Sequence, residues 1–116
     1  MKLLRYVHSP VGVLRIVAVD EATQQSLAIM NGLLHPEGVE IFGVMKQPLA
    51  SRQDALDVEQ AFCEEARRAG AKRVYSGCPA PLAAHYSQMY PGWTVRGPWA
   101  DEQVPGLLLI EKLVEV

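Results

Sequence analysis

The chain has 116 residues, 49% of them hydrophobic and 21% charged, which fits a single domain over residues 1–116 with its own core and excludes a disordered chain. Eleven basic against thirteen acidic residues leave a net charge of −2, without the basic excess or stripe of a nucleic-acid binder. Every apolar run falls far short of the ~20 residues of a membrane-crossing helix, and no apolar signal-peptide core follows Met1 and Lys2, so a cytoplasmic location is expected.

Residues 3–8 alternate weakly and predict a strand. The Ser-Pro-Val-Gly run at 9–12 is a turn signal, because proline pre-sets one backbone angle and glycine accepts the other. Residues 13–19 are rich in β-branched side chains and predict a second strand. A polar connection follows, and residues 26–34 read as a strand rather than a short helix stopped at Gly32. A turn at 35–38 leads to a fourth strand, 39–45, in which Gly43 marks a bulge or a close backbone approach.

The strongest periodicity comes next. Ala55, Val58, Phe62, Ala66 and Ala69 recur three or four apart and define one helix face. Asp54, Asp57, Glu59, Glu64, Glu65, Arg67 and Arg68 fill the other. Ser51 and Asp54 form a capping box, and Gly70 stops the helix. Residues 73–76 read as a short strand and 77–81 as a loop. Pro81 then suits the first turn of a second helix with Leu82, Tyr86 and Met89 as its buried stripe. Pro91-Gly92 breaks that helix. Residues 93–96 form a strand, 97–105 a polar loop and 107–114 the last strand. Cys63 and Cys78 match no zinc or redox spacing and read as buried free thiols, and with no metal-spaced histidine pair no metal is expected.

Four strands, a helix, a strand, a helix and two strands predict an α/β (α+β) fold. Its sheet is mixed, mostly antiparallel and six- to seven-stranded, with a parallel crossover around the first helix. This order carries a resemblance. Residues 39–45 followed by Pro48, the Glu64-to-Val74 stretch, and Ala83-Ala84-His85-Tyr86 with the Gly-Trp-Thr-Val-Arg-Gly run at 92–97 resemble the GCN5-related N-acetyltransferases (GNATs). So does Val17-Ala18-Val19-Asp20 through Leu34. The resemblance covers about five sixths of the chain.

It implies transfer of an acetyl group from acetyl-CoA to an amine acceptor, a small molecule or a protein. In that family a main-chain N–H of the central strand polarises the thioester carbonyl, and a tyrosine on the last helix protonates the leaving thiolate. Carried onto this sequence, Phe42, Gly43 and Val44 supply the former and Tyr86 or Tyr90 the latter. Glu40 is the candidate general base, and Cys78 lies where the cofactor enters. The competing readings are core packing for Tyr86, a loop aromatic for Tyr90 and a solvated strand carboxylate for Glu40.

Two departures stand out. Only residues 9–12 separate the first two strands, where the family has two helices shaping the acceptor groove. That side is therefore missing or supplied by a partner chain, for example in a homodimer. The acyl-CoA loop, Arg/Gln-x-x-Gly-x-Gly/Ala in the family, falls here on Ala50, Ser51, Arg52, Gln53, Asp54 and Ala55, of which only Ala55 fits. A helix N-terminus binds pyrophosphate through free N–H groups and its dipole, and glycines allow close approach. Asp54 and Asp57 in the first turn stabilise the helix by ~0.3–1 kcal/mol each but occupy the same field. The alternative function is therefore a non-catalytic GNAT-fold interaction or assembly protein, of a kind suited to a phage or mobile element and to a virion.

Overall fold

The structure, a computed structural model, describes residues 2–99 and 106–114. Strands β1 (Lys2–His8), β2 (Val13–Asp20), β3 (Ser26–His35) and β4 (Gly38–Lys46) follow one another through short turns and pair antiparallel in sequence order. Short turns allow nothing else, since a parallel neighbour needs a long crossover. Helix α1 (Arg52–Arg68) provides that crossover, and β5 (Arg73–Pro79) lies parallel to β4. Helix α2 (Ala80–Met89) leads to β6 (Thr94–Pro98), and β7 (Leu107–Leu113) inserts between β5 and β6. The result is one seven-stranded sheet ordered β1-β2-β3-β4-β5-β7-β6, mixed and mostly antiparallel, with two helices.

Both helices cover one face. Ile110 of β7 lines a small cavity with Tyr86 of α2, while Lys112, on the same side two residues on, bonds to Glu59 of α1. Phe62, Val58 and Ala66 of α1 and Ala83 of α2 enter one apolar cluster with Leu14, Ile16, Met30, Val39 and Val74 of the sheet. On the opposite face Val17, Ile29 and Leu33 are half-buried, and no helix among the described residues lies over them. Turn 9–12 joins β1 to β2 with no helix between them.

The helix α1 cap is as the spacing predicts: Ser51 Oγ accepts from Asp54 N, and Asp54 returns a bond to Ser51 N. The helix starts at Arg52, so Asp57 belongs to its second turn rather than its first. Lys2 of the edge strand bonds to both Asp54 and Asp57.

Several local expectations give way to tertiary context. β5 runs on through Pro79, because β7 pairs with it along its whole length up to Pro79 opposite Leu107, so 77–79 are strand rather than loop. On α2 the buried residue is Ala83, while Leu82 is 44% exposed and faces a cleft. Tyr90 is buried rather than a loop aromatic, and Trp93 is buried beside the start of β6.

Glu59 is the largest departure. It stands among the charged residues of α1 in the sequence, yet it is 3% exposed. Its Oε1 accepts from Trp93 Nε1 at 3.1 Å and Lys112 Nζ at 2.8 Å, and the Cys63 thiol donates to it at 3.3 Å. Helix, β6 entry and β7 meet on one carboxylate, which burial makes costly to leave unpaired. Glu59→Ala strands the Lys112 ammonium and the indole N–H; the expected loss is about 3–5 kcal/mol. In urea unfolding this should lower the midpoint with the slope unchanged.

Candidate functional site

β4 and β5 pair at only two positions, Val39 with Val74 and Glu40 with Tyr75. Beyond these they part. On the β3 side, Asn31 opposes Gly43 and Gly32 opposes Ile41, so Phe42 is an extra residue without a partner. That bulge bends β4 away while β5 stays on β7. It also lies next to the strand glycine that marked it in the sequence. Ser76 Oγ bridges the start of the gap, donating to the Ile41 carbonyl at 3.1 Å.

The parted strands enclose a cleft of about 370 Å³. Of the residues singled out from the sequence, it brings together Glu40, Phe42, Gly43, Val44, Cys78 and Tyr86. Tyr86 enters from α2, on the helix side. Glu40 lies on the opposite, helix-free side, where His35 Nε2 stands 3.4 Å from its Oε1. Tyr90 does not reach the cleft. It lines a separate cavity of about 30 Å³ behind Tyr86, with the two rings stacked at 6.1 Å. Burial, reinforced by Tyr86 and Glu59, pushes its hydroxyl up to about 12. A wider depression of about 610 Å³ between 25–27 and 45–49 has no titratable lining residue.

Cys78 is buried at the cleft, and burial alone raises its thiol. Cys63 is raised too, by burial and then by the Glu59 charge. Both shifts disfavour the thiolate, the reactive form.

Ser51, Arg52, Gln53, Asp54 and Ala55 lie at the start of α1 and do not line the cleft. Arg52 Nη2 donates to the Met89 carbonyl at the end of α2, at 3.4 Å. Burial pushes the Asp54 carboxyl up, but bonds from Ser51 and Lys2 outweigh it and leave the group below its ordinary range. Asp57 is lowered chiefly by Lys2 and then Gln53, and Lys2 is raised chiefly by Asp57.

Four residues around this cleft have no site role assigned from the sequence. Ser76 is one. The others form a stack on the helix-free face of β5. The Arg73 guanidinium sits 4.3 Å from the Tyr75 ring centroid, and Tyr75 stacks on Trp99 at 5.8 Å. Trp99 lies over Gly77, where a Cβ would come within 2.9 Å of the indole. Because the sequence reading puts Gly77 in a loop, it offered no signal for this stack. Trp99 N donates to Leu107 O at 2.8 Å, which holds the ring at the mouth of the cleft. Arg73 and Arg96 take separate oxygens of Glu111, at 2.8 and 2.6 Å.

No protein-family model matches the sequence, and no curated protein matches it. Solved structures do resemble the fold. A Klebsiella pneumoniae chain assigned as an acyl-CoA N-acyltransferase is 14% identical, covers 98% of this chain and 98% of its own, and has a TM-score of 0.80. An acetyltransferase of the GNAT family from Staphylococcus aureus is 9% identical over 92% of this chain and 71% of its own, with a TM-score of 0.68. An aminoglycoside 6′-N-acetyltransferase in complex with coenzyme A is 11% identical over 91% and 74%, with a TM-score of 0.71.

The clamp at the start of α1 gives a pH test. Asp54 and Asp57 titrate below their ordinary 3.8, so their contribution is complete above that value and lost as pH falls through the lowered range. Lys2 titrates above its ordinary 10.5, so its contribution is lost only as pH rises beyond that. Lys2→Met should therefore cost about 1 kcal/mol at neutral pH. The gap to the parent protein should close in acid once both carboxyls are protonated, as read from urea midpoints against pH.

Proposed function

With the GNAT fold as premise, we propose that the protein is an N-acyltransferase moving an acetyl group from acetyl-CoA to an amine acceptor. One observation carries this reading: β4 and β5 separate just past Glu40, and the gap presents free β4 main chain on one side and Tyr86 on the other.

In this reading acetyl-CoA is a substrate whose thioester lies in the gap. A main-chain N–H within 42–44 that faces the gap rather than β3 polarises the carbonyl. Glu40, on the helix-free side, accepts the proton of the incoming amine. The C–N bond forms, the C–S bond breaks, and the Tyr86 hydroxyl gives its proton to the departing thiolate. Tyr90, walled off behind Tyr86, packs rather than reacts. The pyrophosphate would approach the start of α1, where the charges of Lys2 and Arg52 together balance those of Asp54 and Asp57. The helix start thus carries no net negative charge toward coenzyme A.

The second reading, a non-catalytic interaction or assembly module on the same fold, is favoured by a different observation. The first turn of α1 is already capped by Ser51 and Asp54, which compete with a phosphate for that end. A protein partner, or a second copy, would then occupy the sheet face that lacks helices.

Calorimetric titration with acetyl-CoA, and with CoA alone, decides between them. Micromolar binding supports the transferase, whereas no heat at millimolar ligand removes it and leaves the fold. In the active protein Tyr86→Phe should lower kcat by about a hundredfold with little change in KM. Tyr90→Phe should change kcat by no more than a few-fold.

A further inference from the structure

We propose that the acceptor is a monoamine carrying a flat apolar body, of the arylalkylamine type, rather than a polyhydroxylated polycation or a polyamine. This rests on the acyltransferase reading and names the substrate class of the same site.

The argument starts from the charge of the cleft. Among the described lining residues Glu40 is the one charged side chain; the rest are aromatic, apolar, glycine, Ser76 and Cys78. Of the charged groups nearby, the Glu37 carboxylate stands close enough to act on the Tyr75 hydroxyl but does not line the cleft, and the others are committed elsewhere. Both Glu111 oxygens are taken by Arg73 and Arg96, and Arg73 also donates to the Glu37 carbonyl while covering Tyr75. The one carboxylate among the described lining residues can neutralise one ammonium. A polycation brought into the same space would leave further ammonium groups desolvated and unpaired, which is heavily penalised.

The walls define what accompanies that ammonium. On the helix-free side, where Glu40 opens, Phe42 is 59% exposed on its bulge and Trp99 presents the surface not covered by Tyr75 and Gly77. Both rings border the same cleft as the carboxylate. Aromatic faces bind flat apolar groups by stacking and attract an adjacent cation. Few hydrogen-bonding side chains are present to hold a sugar ring, and a cleft that leaves hydroxyls unpaired rejects them. The Trp99 shelf is also built rather than incidental. Gly77 makes room for it, and its own N–H is tied to Leu107.

The experiment uses the full chain, CoA-saturated for binding and acetyl-CoA-supplied for turnover. Tryptamine and phenethylamine are compared with spermidine and kanamycin, by calorimetry and by release of free CoA. The expected result is arylalkylamine binding and turnover at least tenfold more efficient than for either polycation. Trp99→Leu should weaken tryptamine binding about tenfold, Trp99→Phe should restore most of it, and Glu40→Gln should weaken it while sparing acetyl-CoA binding. Acetyl-CoA binding with equal or better turnover of spermidine or kanamycin overturns the acceptor class and leaves the transferase standing. So does tryptamine affinity unchanged in Trp99→Leu and Glu40→Gln. Tryptamine binding with the expected variant pattern, but no acetyl-CoA binding, keeps the amine site and overturns the transferase instead. If the calorimeter shows no arylalkylamine binding at millimolar concentration, the inference falls.

Discussion

The whole site depends on how little backbone joins β4 to β5. Two parallel pairs hold the halves of the sheet together, Val39 with Val74 and Glu40 with Tyr75. Parallel pairing is also the weaker kind per residue. Once β4 has an extra residue at Phe42, the ladder cannot continue on both sides. β5 keeps its full pairing with β7, so the unpaired stretch falls between β4 and β5. The gap is therefore a consequence of register, not of a missing side chain. Close packing supports the joint from below: Gly38 (φ +138°) lies so near the Arg73 carbonyl that a side chain there would displace it.

A sheet with a gap needs other ties, and they come from the helix side. Helix α1 reaches across the opening, with Phe62 and Val58 in the core shared by β2, β3 and β5. Glu59 adds a polar tie to Lys112 of β7 and to the Trp93 indole on the far half. Ser76 adds a small one at the throat. These contacts hold the two halves at a set separation without filling the space between them. A buried carboxylate is a poor source of net stability compared with apolar packing, but it is directional, and direction is what this arrangement needs.

The two faces of the cleft differ in kind. The helix side is apolar and enclosed, with Tyr86 in front of Tyr90. The other side carries Glu40, His35 and the Arg73–Tyr75–Trp99 stack, and it is open because β1 runs straight into β2 through a tight turn. At the start of α1, Lys2 offsets the acidic residues, linking the edge strand to the helix.

The sequence by itself determined the element order, the α1 cap and the bulge signal at Gly43, because these depend on neighbours three or four residues away. Alternation, 3.6-residue periodicity and turn chemistry are local, and they placed most strands to within a residue or two. The family resemblance carried by that order set Glu40, Phe42, Gly43 and Val44 beside a tyrosine at 86 or 90. Tertiary structure alone decided the rest. Glu59 looked like a solvated helix residue until Trp93 and Lys112, far along the chain, supplied its partners. The extension of β5 through Pro79 depended on β7, and the burial of Ala83 instead of Leu82 depended on which way α2 faced the gap. Trp99 became a cleft residue only because Gly77, on another strand, left space beneath it. Each of these turns on contacts between residues distant in the chain, and no local pattern encodes which distant partner a side chain will meet.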